Sequence, residues 1–114
     1  KGASVSWITD EQASAALEWL LKNARALGEA KRDAVLAESM TKRIKALEMA
    51  RSDAKTVAEK ERDALASEAY LKAITEEAEA AGIYEEARAL KDAATARIEC
   101  WRSLTATQRT LRAA

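Results

Sequence analysis

"RSDAKTVAEKERDALASEAYLKA", residues 51–73, interrupts two long runs of helix-favouring sequence and decides how they are joined. Ser52 and Asp53 favour a turn, because their short polar side chains compete for nearby backbone hydrogen bonds. Thr56 followed three residues later by Glu59 makes a capping box, in which each side chain satisfies the other residue's backbone N–H. A short helix over about 57–65 follows. Ser67 then caps a third helix. The stretch therefore reads as turn, short helix and cap between two long helices.

Upstream, Thr9 and Gln12 in "TDEQ" form another capping box, and Asp10 and Glu11 supply acids to the first turn. Trp7 or Ile8 is placed to pack back as a hydrophobic staple. Apolar residues recur at Ala13, Leu17, Leu20, Ala24 and Leu27. They continue less cleanly through Val35, Leu36, Met40, Ile44 and Leu47. Spacings of three and four mark one buried helix face, so a helix over about 10–51 is expected. Gly28 inside it costs about 1 kcal/mol against Ala. A close backbone approach or a slight bend would account for it. Downstream, Leu71, Ile74, Ala78, Ala81, Tyr84, Ala87, Leu90, Ala94, Ile98 and Trp101 trace a second stripe, with Gly82 where the spacing changes. That helix is expected to reach about 103 or to run on to 111.

Two helices of about 40 residues joined by a short connection become antiparallel neighbours. The fold class is therefore all-α: a long αα-hairpin with a short connecting helix. The domain reading is one hairpin over 9–112, preceded by residues 1–8 as a tag scar or disordered N-terminus. The chain has 114 residues, with 48% hydrophobic residues, three Gly and no Pro. Ala supplies more than half of those hydrophobic residues, so large apolar side chains are scarce. Ala-rich stripes gain packing energy only where backbones approach closely. Two helices cannot cover all of this apolar surface alone. Assembly into a homo-oligomeric bundle or ring is expected, with Leu90, Ile98 and Trp101 in the core or between subunits.

The formal net charge is zero, but the charges are segregated. Residues 1–21 hold one basic and three acidic side chains; 22–55 hold nine and five; 56–96 hold five and ten; 97–114 hold four and one. Antiparallel pairing lays the basic stretch of the first helix beside the acidic stretch of the third. It also lays the basic C-terminal stretch near Asp10, Glu11 and Glu18. A polyanion partner is the other explanation. Candidate phosphate-binding residues are Lys42, Arg43, Lys45, Arg51 and Lys55, with Arg102, Arg109 and Arg112 as a secondary basic end. Arg43 and Lys45 should flank the stripe at Ile44, with Lys42 further out. Trp101 beside Arg102 suggests a base-stacking platform, yet it also continues the apolar stripe.

Little here supports catalysis. The chain has no His and one Cys, Cys100, which reads as a small packing residue. No Gly-rich phosphate loop is present. Glu76, Glu77 and Glu79 lack the Glu-x-x-His partner of carboxylate metal sites. No catalytic residue, metal site or cofactor is expected, and no apolar run approaches the ~20 residues that span a bilayer. The lone thiol suits a reducing cytoplasm.

The segments "ALEWLLKNA", "TVAEKERDALASEAYLKA" and "ARIECWRSLTATQR" give an order: a Trp–Leu helix with a basic end, a capped short helix, a Ser-capped long helix and a Trp–Arg–Ser close. Across most of residues 13–109 this order resembles small helical proteins of phage recombination modules, the UvsY-like recombination mediators. The resemblance implies a ring-like homo-oligomer in the host cytoplasm. Such a protein binds single-stranded DNA and helps load a recombinase onto strands covered by single-strand-binding protein. It also implies that Lys42, Arg43 and Lys45 form the basic cluster of the first helix. The rival reading is a structural or protein-interaction bundle with no nucleic-acid role.

Overall fold

The computed structural model describes residues 8–113. Those residues form three α-helices and no strand: α1, Asp10–Arg51; α2, Val57–Leu65; and α3, Glu68–Ala113. The two long helices pack against each other. The staple expected at Trp7, and residues 1–7 of the stretch 1–8 expected as a tag scar or disordered N-terminus, lie outside the described residues.

Every helix start follows the local chemistry of the sequence. The Thr9 hydroxyl accepts from the Gln12 N–H at 3.1 Å, and the Gln12 amide oxygen accepts from the Thr9 N–H at 3.0 Å. At α2 the Thr56–Glu59 capping box closes in the same way. At α3 the Ser67 hydroxyl accepts from the Tyr70 N–H at 3.1 Å and donates to the Ala64 carbonyl at 2.7 Å. One side chain thereby ends α2 and begins α3. Ser52 accepts from the Ala54 N–H and donates to the Asp63 carboxylate, tying the turn to α2. At the C-terminus α3 passes the shorter expected boundary at 103 and ends at Ala113, close to the longer one. Residues 103–113 contain neither Gly nor Pro, and no local signal stops the helix.

The described chain divides into two compact units: Leu27–Glu86, and α1 up to Ala26 with α3 from Ala87 onward. In the Leu27–Glu86 unit, the Thr41 hydroxyl donates to its own helix at the Ala37 carbonyl. It also lies 3.3 Å from the Ala73 carbonyl of α3. The Lys31 ammonium sits 5.2 Å above the Tyr84 ring. Residue numbers rise on α1 as they fall on α3, so the helices are antiparallel here. In the other unit, the Trp101 indole N–H donates to the Asp10 carboxylate at 2.6 Å. Ala16 and Trp19 share a groove with Ala94 and Leu90, which is again antiparallel.

The inward faces differ from the stripes drawn on the largest apolar residues. On α1 the buried and half-buried residues include Ala13, Ala16, Leu20, Asn23, Leu27, Ala30, Ala34, Ala37, Thr41 and Ile44, with Trp19, Lys45, Glu48 and Met49 half-buried beside this row. This is a 3.5-residue repeat, the period of coiled-coil seams. On α3 the matching set begins Tyr70, Ala73, Glu77, Ala80, Tyr84 and Ala87, and resumes at Ala94, Ile98 and Trp101. The buried hydrophobic residues among those described are Ala13, Ala16, Ala30, Ala64, Ala73 and Ala94, all of them alanine. Leu17, Val35, Leu36, Met40, Leu47, Leu71, Ile74 and Leu90, all expected on the buried stripes, are each at least 39% exposed. Close helix approach explains the difference: alanines take the buried positions of the seam, large residues such as Leu20, Leu27, Tyr84 and Ile98 are half-buried along it, and the exposed large ones lie outside it. Gly28 also departs from expectation. A Cβ there would meet nothing within 4 Å, so no close backbone approach requires the glycine.

Candidate functional site

The basic cluster lies at the C-terminal end of α1 and in the turn beyond it. Lys45 is half-buried beside Ile44, and its ammonium lies 2.7 Å from the Glu61 carboxylate of α2. The hydrogen bond from Lys45 holds the Glu61 carboxyl below its ordinary pKa, and the opposite charge adds to the effect. The same bond raises the Lys45 pKa. Arg51 pairs with Glu48 at 3.1 Å, one turn back on its own helix. Lys42, Arg43 and Lys55 are exposed and have no ion-pair partner among the described residues. The cluster is thus divided between two cations with partners and three without. The acid that holds Lys45 stands on the short helix rather than on α3, where charge segregation alone directs attention.

At the secondary basic end, Arg102 pairs with Glu99 one turn away at 3.3 Å. Arg109 and Arg112 are exposed on the last turns of α3, with no partner among the described residues. Trp101 is half-buried, and its N–H is taken by Asp10 in the first turn of α1. Ile8, Thr9, Leu104 and Thr105 complete its surroundings. The acid beside the C-terminal segment therefore meets an indole rather than an arginine. Ile98 is half-buried, while Leu90 is 51% exposed and lines a shallow groove with Trp19, Ala15 and Ala93.

A larger groove, about 500 Å³, runs along the Leu27–Glu86 unit. Leu36, Met40 and Ile44 from α1 line it together with Ala69 and Ala73 from α3, and Asp33, Lys72 and Glu76 form its charged margin. Leu36 is 56% exposed and Met40 is 42% exposed. Sequence reasoning placed Leu36 and Met40 on the buried stripe and so missed this surface. The signal was present in the spacing of 33, 36, 40, 43 and 47, a second repeat of three and four beside the inward one.

Among the described residues no group of three or more His, Cys, Asp or Glu side chains is placed to hold a metal ion, and Cys100 is exposed and free. No described helix is long and apolar enough to cross a membrane. These features define a class: an all-helical chain with two long packed helices, a short connecting one and apolar surface left outside the seam. No family model, curated protein or solved structure matches the chain.

Proposed function

We propose that this chain is a non-enzymatic self-associating helical module. One observation carries the reading. The buried hydrophobic residues of the single chain are all alanine, while thirteen large apolar residues are exposed among those described. A buried Leu, Ile or Met side chain contributes ~1.5–3 kcal/mol relative to an exposed one. Most of that gain is unrealised in one copy and is recovered when copies pack together. Sedimentation velocity from low to high micromolar concentration tests this. A species larger than the monomer is expected, and a monomer at every concentration refutes it.

A second function on the same assembly has its own support. Lys42, Arg43 and Lys55 are cations without ion-pair partners among the described residues. In an oligomer, repeated copies of Lys42 and Lys55 would contact successive phosphates of a single strand. Weak contacts then add through avidity. This is the role of a recombination accessory that works beside a recombinase or a single-strand-binding protein. Binding to an oligonucleotide should be blind to sequence and fall steeply with salt. Absence of binding at low salt removes this function and leaves the structural bundle.

A further inference from the structure

We propose that the groove of the Leu27–Glu86 unit is the contact face of a two-fold symmetric homodimer. In it, α1 packs antiparallel on α1 of a second copy about a point midway between Leu36 and Met40. The inference rests on the self-association reading and specifies its geometry.

The outward edge of α1 beside the groove reads Asp33, Leu36, Met40, Arg43 and Leu47, with steps of three, four, three and four. Such spacing aligns these side chains in one row. The row is acidic at one end, apolar in the middle and basic beyond. Asp33, Leu36, Met40 and Arg43 are all exposed. Antiparallel self-pairing about the stated midpoint brings Leu36 opposite Met40 of the second copy and Asp33 opposite its Arg43. Within one copy Asp33 meets only the adjacent Arg32, 2.9 Å away on the surface, a pairing of little energetic weight.

The Thr41–Ala73 contact sets Met40 level with about position 74 of α3 and Leu36 with about position 78. Position 76 of α3 is thereby level with the axis, so Lys72 and Glu76 of the two copies do not face each other across it and the charge pairing rests on α1 alone. A parallel arrangement would set Asp33 against Asp33 and Arg43 against Arg43, juxtapositions that cost affinity. Charge and apolar pattern thus select the occupant of the groove, a second copy of this chain, and its direction.

The test uses the full chain carrying Cys100→Ser, so that no native thiol interferes. Asp33→Cys and Arg43→Cys are introduced together and separately, and each protein is oxidised at low concentration. The two positions are ten residues apart on one helix, about 15 Å, too far for an internal disulfide. The double variant should form a covalent dimer in high yield, and each single variant should form little. Equal cross-linking by a single variant, or none by the double variant, overturns the pairing. Wild-type sedimentation separates the two levels of the argument. An oligomer without the 33–43 cross-link refutes this geometry and preserves self-association, whereas a monomer refutes both. In a second arm, Asp33→Arg should raise the dimer dissociation constant at least roughly tenfold. Adding Arg43→Asp to it should restore most of the affinity, and failure to restore contradicts the proposed contact.

Discussion

Ala94→Leu separates a seam of small residues from a generic amphipathic packing. Ala94 is 2% exposed and lies across from Ala16, itself 4% exposed. Composition alone favours the larger residue. Leu is nearly as good a helix former as Ala, and three further buried carbons would contribute about 2 kcal/mol if space existed for them. The seam has none, because both facing positions are alanine and both are covered. Inserted carbons must push the helices apart or force strained rotamers, which costs about 1–3 kcal/mol. The expected change is therefore destabilising and opposite in sign to the transfer estimate. Urea unfolding followed by circular dichroism at fixed protein concentration measures it, with Ala96→Leu on the exposed face as the control. Ala94→Leu should lower the midpoint and Ala96→Leu should leave it nearly unchanged. An Ala94→Leu protein as stable as wild type, or more so, refutes a close-packed alanine seam.

Trp101→Phe removes the N–H that Asp10 accepts and should cost about 1 kcal/mol. A double-mutant cycle with Asp10→Ala that shows no coupling would contradict the contact. The Lys45–Glu61 pair gives a pH signature. Because the Glu61 pKa is lowered in the fold, its contribution is present above the unfolded value and fades as pH falls through the folded one. Wild type and Glu61→Gln should then differ in melting temperature at neutral pH and converge from about pH 4 downward. Lys45, whose pKa is raised, keeps its contribution up to its ordinary ammonium range and loses it only as pH climbs through the folded value. Gly28→Ala, with nothing within 4 Å of the added carbon, should stabilise the helix by about 0.5–1 kcal/mol; a destabilised variant would show that another backbone approaches there. Replacing Lys42 and Lys55 with Ala should abolish salt-dependent binding to single-stranded DNA while leaving helicity intact; unchanged binding would place any phosphate contacts elsewhere.

The helix boundaries were legible because caps are local. Thr9 with Gln12, Thr56 with Glu59, and Ser67 each act within three residues, and each is used as the sequence suggests. The buried face was harder to read, because alanine lies on every side of these helices and carries little directional signal. Size was then the remaining cue, and Leu71 and Ile74 drew the expected stripe one position away from Tyr70 and Ala73. Counting back from Trp101 and Ile98 in steps of three and four reaches Tyr84, Ala80, Glu77 and Ala73, which is the face the structure uses. The ionic contacts were legible only in part. Net charge by segment points to α3 as the partner of the basic stretch. The Lys45–Glu61 bond depends on where α2 folds back, which no local spacing records.

The central claim is that the chain turns its alanines inward and reserves its large apolar residues for other copies. The most direct test is the thermal midpoint of the wild-type protein across a hundredfold range of concentration, followed by circular dichroism. Association that contributes to stability makes the midpoint depend on concentration. The account predicts a midpoint that rises steadily with concentration. A midpoint constant across that range would contradict it.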